Sequence, residues 1–239
     1  MIRIFIGWDH RQPISYNVLQ HSLGARSSAP VSITPLVLPT LPLKRTGLTP
    51  FTFSRFLVPW LCDYEGWAIF MDADMLVLGD IAELWAMRDS ERAVQVVKNE
   101  KRFEWPSLML WNCGHPVNQA LTPHHVENEN PFKWDWLGAD GPGSDLIGSL
   151  PAEWNHLVGY DKPRTDAKLA HFTAGIPPYE ETNMCEYSAE WAKEHELMNA
   201  AVPWVQLMGN SVHVAHLPDG RVLPHFHPDV VAAQAPAAV

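Results

Sequence analysis

The sequence has few cysteines and few basic residues, and each shortage excludes a class of protein. Its three cysteines, Cys62, Cys113 and Cys185, lie far apart and form no CxxC pair. They offer neither a disulfide framework nor zinc-finger spacing, and this usage is typical of a reducing compartment. Lysine and arginine number 17 against 27 acidic residues, so the formal net charge is −10. A general nucleic-acid-binding protein is excluded, because neutralising phosphates requires a basic surface.

Long apolar runs are missing as well. A membrane span requires roughly 18 consecutive apolar residues, and no run approaches that length, so we expect no membrane span. The start of the chain, MIRIFIGWDH, reaches Trp8 and Asp9 too soon for the apolar region of a signal peptide. Together with the cysteine usage, this pattern predicts a soluble, cytoplasmic protein that has no nucleic-acid partner.

What the sequence does contain is ample material for a core, with 46% apolar residues and 11 tryptophans. Residues 2–7 read as a buried strand, residues 13–24 as a helix capped by Gly24, and residues 31–39 as a second strand that Pro35 places at an edge. This order predicts a nucleotide-binding α/β fold. No GxGxxG sequence follows the first strand, so an NAD-type site is not expected.

The remaining patterns predict the other elements. Residues 39–51 read as a loop over the edge of the sheet at which α/β proteins bind ligands. Residues 123–166 are rich in Trp, Gly, Pro and Asn, which is typical of a substrate-binding face. We expect a helix over residues 52–64 with a kink at Pro59 and another over residues 80–87 with Asp80 as N-cap. Two further helices are expected over residues 117–122 and 188–201. Strands are expected over residues 67–71, 75–78, 92–97, 107–112 and 167–172.

Two carboxylates interrupt an otherwise apolar stretch, AIFMDADMLVLGD at residues 68–80. Residues i and i+2 of an extended segment point to the same side, so Asp72 and Asp74 should project together from the end of a strand. Close like charges repel, and a hard divalent cation, Mn²⁺ or Mg²⁺, would relieve that repulsion. An Asp-rich turn in which the carboxylates cap backbone amides is the other interpretation. The apolar flanks favour the edge of an active site over a solvated turn.

The surroundings of this stretch resemble glycosyltransferase family 8, whose members are GT-A glycosyltransferases with a DxD motif. FTFSRFLVPWL at residues 51–61 precedes FMDADMLVLGDI at residues 70–81, as an Arg-containing helix precedes DxD in the family. KLAHFTAGIPPYE at residues 168–180 is similar to the family's late His-containing segment. The resemblance implies that His171 is the third metal ligand and that the loop at Gly175 contacts the donor diphosphate.

Three further segments resemble the family in the same order, so that the likeness spans residues 2–180. IFIGWDHRQ matches the first strand, where the resemblance implies that the base and ribose pack near Gly7 and Asp9. LMLWNCGHP resembles a strand and turn with acceptor-side residues, and it places Asn112 at the turn. SDLIGSLPAEWNHL resembles a later segment that contains Asp145 and ends in a Trp-Asn pair.

The chain departs from the family pattern at two points. A lysine usually precedes a Pro-Trp pair in the late segment, whereas this chain has IPPY with Tyr179 in place of Trp. Lys44, Arg45 and Lys168 are the candidates to replace the missing phosphate contact. The family's Asp-Gln-Asp sequence is also incomplete, because only Asp145 matches it.

The resemblance implies a single GT-A domain over residues 1–228, with a Rossmann-like sheet flanked by helices and an irregular acceptor-side region, and a flexible tail over residues 229–239. It implies a metal-dependent glycosyltransferase (EC 2.4) that uses Mn²⁺ or Mg²⁺. A sugar would pass with retention from a nucleotide diphosphate-sugar, most often a UDP-sugar, to a hydroxyl of a saccharide or another acceptor. The metal ligands are predicted to be Asp72, Asp74 and His171, the donor-binding residues Gly7, Asp9, Lys44, Arg55, Asp72 and Gly175, and the catalytic residues Asp145, Asp140 and Asn112.

Several residues keep two interpretations. Arg55 either reaches a donor phosphate or ribose or orients a metal-binding carboxylate, and a surface arginine is the plainer alternative. Asp9 either bonds a ribose hydroxyl or starts the turn before the first helix. Trp134 and Trp136 either form a platform for an acceptor sugar or pack in the core. The late histidines, His213, His216, His225 and His227, could bind zinc, but HVAHLPDGRVLPHF reads better as a hairpin.

Two other functions compete with sugar transfer. A metal-dependent nucleotidyltransferase or phosphohydrolase could use the same carboxylate pair, but it would need further acidic ligands near the first strand, where only Asp9 is available. An inactive carbohydrate-binding module on the same fold would be expected to have lost part of the metal triad, whereas Asp72, Asp74 and His171 are all present.

Overall fold

A six-stranded mixed sheet forms the centre of the larger of two compact units, residues 1–198 and 199–239. The computed structural model describes residues 1–138, 140–199, 214–216 and 222–224. The helices are α1 (Pro13–Arg26), α2 (Val58–Leu61), α3 (Ile81–Ala86), α4 (Pro123–Asn128) and α5 (Ser188–Asn199). The strands are β1 (Ile2–Gly7), β2 (Val31–Leu36), β3 (Trp67–Met71), β4 (Met75–Val77), β5 (Val94–Val96), β6 (Leu108–Asn112), β7 (Ile147–Ser149), β8 (His156–Leu157), β9 (Leu169–His171), β10 (Val214–His216) and β11 (Val222–Pro224).

The opening β1–α1–β2 unit forms as its sequence predicts. Pro13 occupies the first turn of α1, where its missing N–H costs nothing, and the helix buries Val18, Leu19 and Leu23. The helix does not end at Gly24. It runs to Arg26, and the N–H of the extended Ser27 donates to the carbonyl of Leu23 at its end.

The strand order of the main sheet is β2-β1-β3-β6-β5-β7. The predicted edge position of β2 is confirmed, and it explains why Pro35 is tolerated within that strand. Strands β1, β2 and β3 run parallel, β6 runs antiparallel to both of its neighbours, and β7 runs parallel to β5. Strands β3, β5 and β7 therefore end at the same edge of the sheet, and β6 begins there.

A second, smaller sheet starts directly after β3. Its order is β4-β9-β8, so β4 does not continue β3 in the main sheet. The short connection Asp72–Asp74 carries the chain from one sheet to the other. Strand β4 pairs antiparallel with β9, with Met75 opposite His171 and Val77 opposite Leu169. The two carboxylates thus lie at the point where the two sheets meet.

Several predicted helices are shorter than their patterns indicate. The predicted helix over residues 52–64 is a 3₁₀ turn at Ser54–Leu57 followed by the single turn of α2. Pro59 explains this limit, since proline fits only the first turn of a helix. Residues 123–166 are largely irregular, as predicted, and contain α4, several 3₁₀ turns, β7 and β8.

The tryptophans proposed as an acceptor platform lie in the core instead. Trp134 is 3% exposed and Trp136 is 7% exposed. Their rings lie 6.1 Å apart, and Trp136 also packs on Trp111 at 5.8 Å. A sugar could not reach faces that neighbouring aromatic rings already cover, so the platform prediction was wrong for these two residues. Loss of water from large aromatic surfaces explains their burial.

The smaller unit contains the antiparallel pair β10 and β11, with Ala215 opposite Leu223. The predicted hairpin is therefore confirmed for its strands, while its turn lies outside the described residues. His213, His225, His227 and the predicted tail over residues 229–239 also lie outside them, and a single domain over residues 1–228 stays a prediction. Within the described ranges, no helix is long and apolar enough to cross a membrane.

Replacement of Gly7 by alanine should destabilise the protein, because the Phe51 ring packs directly on this glycine. An added Cβ would lie 2.3 Å from Cγ and 2.4 Å from Cδ2 of Phe51. Overpacking of this kind typically costs about 1–3 kcal/mol. We expect a loss of that size in the free energy of unfolding, measured by urea denaturation.

Gly24→Ala is the matched control, since an added Cβ there meets nothing within 4 Å. It should be neutral or stabilise the helix by up to about 1 kcal/mol. Equal effects of the two substitutions would contradict the packing of Phe51 on Gly7.

Candidate active site

The pairing of β4 with β9 brings three potential metal ligands together. Asp72 and Asp74 follow β3, and His171 ends β9 about a hundred residues later in the chain. One ligand atom from each of the three residues lies within 4.8 Å of the others. Nε2 of His171 lies 3.3 Å from Oδ1 of Asp74. The N–H of Phe172 donates to the carbonyl of Asp74 at 2.9 Å, which extends the β4–β9 ladder to this point.

Arg55 compensates the charge of Asp72 inside the protein. Its Nη2 lies 3.0 Å from Oδ1 of Asp72, and its Nη1 lies 3.4 Å from Oδ2. The guanidinium also donates to the carbonyls of Thr52 and Pro106, at 3.0 and 2.8 Å. Both partners are almost fully buried. This geometry favours the interpretation in which Arg55 orients a carboxylate. The interpretation of Arg55 as a surface arginine is wrong.

A chain of polar side chains holds the ring of His171. Nδ1 of His171 lies 3.1 Å from Oδ1 of Asn155, and Nδ2 of Asn155 donates to Oγ of Ser107 at 2.9 Å. Because an amide oxygen only accepts, this contact requires the proton on Nδ1. The Nε2 lone pair of a neutral ring then faces Asp74 and is available to a cation.

The pKa values of the two buried ligands reflect this mixture of burial and charge. Burial raises the pKa of Asp72 to about 7, with Arg55 opposing the shift and Asp74 adding to it. Burial disfavours the imidazolium of His171, but Asp74, Asp72 and Glu104 outweigh it and raise the pKa of His171 to about 9. Without a cation, Asp72 and His171 therefore each hold a proton more strongly than the free side chains do. A cluster that gathers positive charge in this way also attracts a metal cation.

The three residues lie in a cleft of about 350 Å³. Its walls carry Phe51, Thr52, Phe132 and Thr173, and its rim carries the exposed side chains of Leu48, Phe103 and Tyr160. Among the described residues that line this cleft, Arg55 is the one arginine or lysine, and Asp72 already pairs with it. The cleft therefore offers apolar and hydroxyl groups around a predominantly acidic floor.

Glu104 belongs to this site and was missed by the sequence analysis. It lines the cleft, is 7% exposed, accepts from Oγ1 of Thr173 at 2.7 Å, and places Oε2 at 3.8 Å from Nδ1 of His171. The sequence offered no signal for it, because the strand pattern of residues 107–112 does not indicate the direction of the strand. Because β6 is antiparallel to β3, the residues that precede Leu108, and not those at the end of β6, lie beside Asp72. The N–H of Asp72 donates to the carbonyl of Ser107.

Gly7 and Asp9 lie at the end of β1, as predicted, but both have intramolecular neighbours. Phe51 covers Gly7. The carboxylate of Asp9 accepts from the backbone N–H and the guanidinium of Arg11, with Nε at 2.9 Å and Nη2 at 2.5 Å. The side-chain hydrogen bond from Arg11 lowers the pKa of Asp9 despite partial burial. Arg11 in turn reaches the carbonyl of Leu48, which stands on the rim of the cleft.

Apart from Arg55, the residues predicted to contact phosphate are not among those that line the cleft. Lys44 lines another surface cleft, near Glu127, and Arg45 donates to backbone carbonyls near α4 and covers the Phe53 ring. Lys168 forms an ion pair with Glu83. Gly175 adopts a φ of +129°, which favours glycine, and its turn lies two residues beyond Thr173 of the cleft.

The predicted catalytic residues lie apart from this site. Asn112 pairs with Trp67 at the far end of the β3–β6 ladder, about 13 Å along the strand from the metal end. Its amide donates to the carbonyls of Ser90 and Arg92. Asp145 is exposed and precedes the start of β7, at the same far end. Its carbonyl accepts a hydrogen bond from Arg92. Asp140 is exposed and directly precedes a 3₁₀ turn, to which its side chain makes no capping hydrogen bond. The structure does not bring these three residues to the cleft.

Comparison with known proteins identifies the class to which this fold belongs. The galactosyltransferase LgtC, solved with donor and acceptor sugar analogs, superposes with a TM-score of 0.57 at 10% identity, covering 86% of this chain and 99% of LgtC. The bifunctional glycosyltransferase WbbM gives 0.61 at 14% identity over 86% of this chain. This chain spans 50% of the length of WbbM. These likenesses show a GT-A glycosyltransferase fold, which confirms the predicted fold class.

The sequence comparisons define the family. The family described as "Glycosyl transferase family 8" matches residues 32–137. "Protein CDI" of Arabidopsis thaliana is 36% identical over 232 residues, which cover 82% of this chain and 87% of that protein. The chain belongs to glycosyltransferase family 8, and the resemblance seen in its motifs is confirmed.

The geometry fits the divalent cation that this class of enzyme implies. Two carboxylates and one imidazole are a donor set that Mn²⁺ and Mg²⁺ accept, and the imidazole favours Mn²⁺. The Asn155 contact leaves Nε2 of His171 facing the carboxylates. Asp72, Asp74 and His171 are therefore the residues that could hold the cation.

The raised pKa of His171 predicts a pH dependence of stability in the absence of metal. A folded-state pKa of about 9 against an ordinary value of 6.5 stabilises the fold fully below pH 6.5. That contribution is lost as the pH rises through 9. We expect the difference in free energy of unfolding between the wild type and His171→Gln to fall by up to about 3 kcal/mol over this interval.

Urea denaturation in EDTA at several pH values measures this difference. His10→Gln, at an exposed position, is the matched control and should leave the wild-type profile in place. A His171→Gln profile parallel to that of the wild type would contradict the environment described for this imidazole.

Proposed function

We propose that this protein transfers a sugar from a nucleotide diphosphate-sugar to a hydroxyl group of an acceptor. The observation that carries the proposal is the convergence of Asp72, Asp74 and His171 at the floor of one cleft, where the two sheets meet. We propose Mn²⁺, or Mg²⁺ in its place, as the cation and a UDP-sugar as the donor. Retention of anomeric configuration is part of the proposal, and the family resemblance supports it.

A cation at this place explains how an acidic protein can bind a diphosphate. Arg55 is neutralised by Asp72, so the described walls of the cleft offer little other positive charge. Lewis acidity is the chemistry that a bound divalent cation supplies, and it stabilises negative charge on the leaving diphosphate. Arg55 keeps Asp72 in place and balances its buried charge, while Asn155 keeps Nδ1 of His171 protonated so that Nε2 can ligate.

The remaining groups of the cleft have roles that their positions support. The hydroxyl group of Thr52 lines the wall and can donate to phosphate or sugar oxygens, whereas that of Thr173 already donates to Glu104. Phe51 and Phe132 offer apolar surface for a base or a sugar ring. Glu104 is the carboxylate outside the metal triad that lines the cleft. We propose that Glu104, rather than Asp140, Asp145 or Asn112, stabilises positive charge developing on the donor sugar.

The competing functions have less support. A nucleotidyltransferase or phosphohydrolase would need another acidic ligand near β1, and Asp9 is occupied by Arg11. An inactive carbohydrate-binding module gives no reason for an ordered triad backed by Arg55 and Asn155. A cytoplasmic location stays a prediction that rests on the cysteine usage.

Asp74→Asn should abolish Mn²⁺-dependent donor binding while the protein stays folded. Asp74 is partly exposed, asparagine keeps its shape, and the buried His171 beside it can lose its proton and stay as a neutral ring. Loss of an outer partner of a ligand typically weakens metal binding by about 10–100-fold, so loss of a charged ligand should weaken it by at least about a hundredfold. Calorimetric titration of Mn²⁺, and of UDP with Mn²⁺ or EDTA, measures both effects.

Glu196→Gln is the matched change of an exposed carboxylate on α5 and should behave as the wild type. Hydrolysis of a panel of nucleotide-sugars with Mn²⁺ or EDTA completes the test. If no donor turns over and none binds in a Mn²⁺-dependent way, the proposed function is wrong.

Asn155→Ala should weaken Mn²⁺ binding by about 10–100-fold, because it removes the partner that orients the ring of His171. Asn128→Ala, which removes an exposed amide bonded to His124, is the control and should have no effect. Titration of Mn²⁺ monitored by electron paramagnetic resonance measures free and bound ion directly. Equal Mn²⁺ affinity in both variants would refute the role of Asn155.

A further inference from the structure

A second cleft, of about 310 Å³, lies beside the candidate active site and contains polar groups that the proposed sugar transfer does not use. One wall comes from residues 97–99, which follow β5. The other comes from His156 in β8 and from the segment 161–166 that follows it. None of the described residues that line this cleft also lines the metal-binding cleft. It is therefore a separate site in the same unit.

Three buried polar atoms in this second cleft have no hydrogen-bond partner among the described residues. They are Nδ2 and Oδ1 of Asn99 and Nδ1 of His156. His156 is fully buried, and its Nε2 bonds Oε2 of Glu186 at 2.8 Å. Its Nδ1 lies 3.7 Å from Oδ2 of Asp161, beyond hydrogen-bond distance. Buried polar groups are rarely left unpaired in folded proteins, so three in one cleft point to a polar ligand.

The charged side chains that line this cleft sum to +1, since Lys98, Lys162 and Arg164 outnumber Asp161 and Asp166. Lys98 and Lys162 line it, and neither forms an ion pair or a hydrogen bond through its side chain within the part of the chain that the structure describes. Arg164 is engaged by Asp166, with hydrogen bonds of 2.7 and 3.0 Å. Asp161 accepts from the backbone N–H of Leu157. In a protein with a net charge of −10, two unpaired lysines in one cleft favour an anionic ligand.

The unpaired atoms restrict the ligand further. Oδ1 of Asn99 only accepts hydrogen bonds, so the ligand must carry a donor. A fully ionised phosphate has none, whereas a sugar hydroxyl both donates and accepts. Nδ1 of His156 can likewise bond a hydroxyl, because Nε2 is the ring atom that bonds Glu186. The ligand that satisfies the whole set combines hydroxyl groups with one anionic group.

We propose that this second cleft binds the anionic end of the acceptor, a sugar phosphate or a uronic acid. The placement on the acceptor side rests on the proposed function. Tyr160 lines the metal-binding cleft and the adjacent Asp161 lines the second one. Phe103 and Asn99 lie on one loop, and Phe103 lines the metal-binding cleft while Asn99 lines the second one. A molecule anchored at Lys98 and Lys162 therefore extends past the exposed rings of Phe103 and Tyr160 towards the metal ligands.

Calorimetric titration of the full chain in EDTA tests the cleft without the metal or the donor. The probes are glucose 6-phosphate, glucuronic acid, glucose and inorganic phosphate. We expect at least one sugar anion to bind at least about tenfold more tightly than glucose and inorganic phosphate, since each of these lacks half of the required groups. Tighter binding of glucose 6-phosphate identifies a phosphate ligand, and tighter binding of glucuronic acid identifies a carboxylate.

The variant Lys98→Ala/Lys162→Ala should lose at least about tenfold in affinity for the sugar anion. Lys133→Ala/Lys193→Ala removes two exposed lysines outside this cleft and should bind as the wild type does. Asn99→Ala should weaken the sugar anion more than inorganic phosphate. Unchanged affinity in the Lys98/Lys162 variant, or no binding of either sugar anion to the wild type, would overturn the proposal and leave a cleft that holds only water.

The outcome is separable from that of the proposed function. Asp74→Asn should bind the sugar anion with wild-type affinity, because the second cleft contains none of the metal ligands. Anion binding without any nucleotide-sugar turnover would leave the cleft in place and refute the proposed function. Turnover with Mn²⁺ that sugar anions fail to increase, despite their binding, would overturn the acceptor role of the cleft.

Discussion

The pairing of β4 with β9 is the interaction on which the candidate site depends. It sets Met75 opposite His171 and thereby places an imidazole beside a carboxylate that lies about a hundred residues earlier in the chain. Ladder hydrogen bonds fix this register, and a slip of one residue would turn His171 to the other face of the sheet. Backbone pairing therefore sets the position of His171. The attraction between its side chain and Asp74 adds to that arrangement and does not determine it.

Burial of Asp72 creates the second constraint, and Arg55 meets it. A buried ion pair adds little net stability, because desolvation offsets the attraction, but removal of one partner leaves an uncompensated charge. Arg55 is itself held by the carbonyls of Thr52 and Pro106, so the loop before β6 and the 3₁₀ turn before α2 are tied to the same carboxylate. The chain from Ser107 through Asn155 to His171 ties β6 and β8 to the other side of the site.

The sequence predicted the fold class and the three residues that the structure brings together, but not the residues around them. Asn112 and Glu104 show why. The family resemblance placed Asn112 on the acceptor side, and the pattern of residues 107–112 indicates a strand without indicating its direction. Strand β6 runs antiparallel to β3, so its beginning lies at the site, preceded by Glu104. Trp134 and Trp136 were misplaced for a similar reason. The local sequence of an irregular segment does not show whether its aromatic residues face a ligand or the core.

The sequence by itself determined what depends on near neighbours. Examples are the buried strands β1 and β3 and the Asp80 cap, whose side chain accepts from the N–H of Ala82. These follow from side-chain period and local hydrogen bonding, which act over a few residues. Only the tertiary structure decided which ends of the strands meet, that the chain changes sheets at Asp72–Asp74, and that a second cleft with Asn99 and His156 adjoins the first. Those features depend on pairing between distant segments, where the alternatives differ in direction and register and not in local pattern.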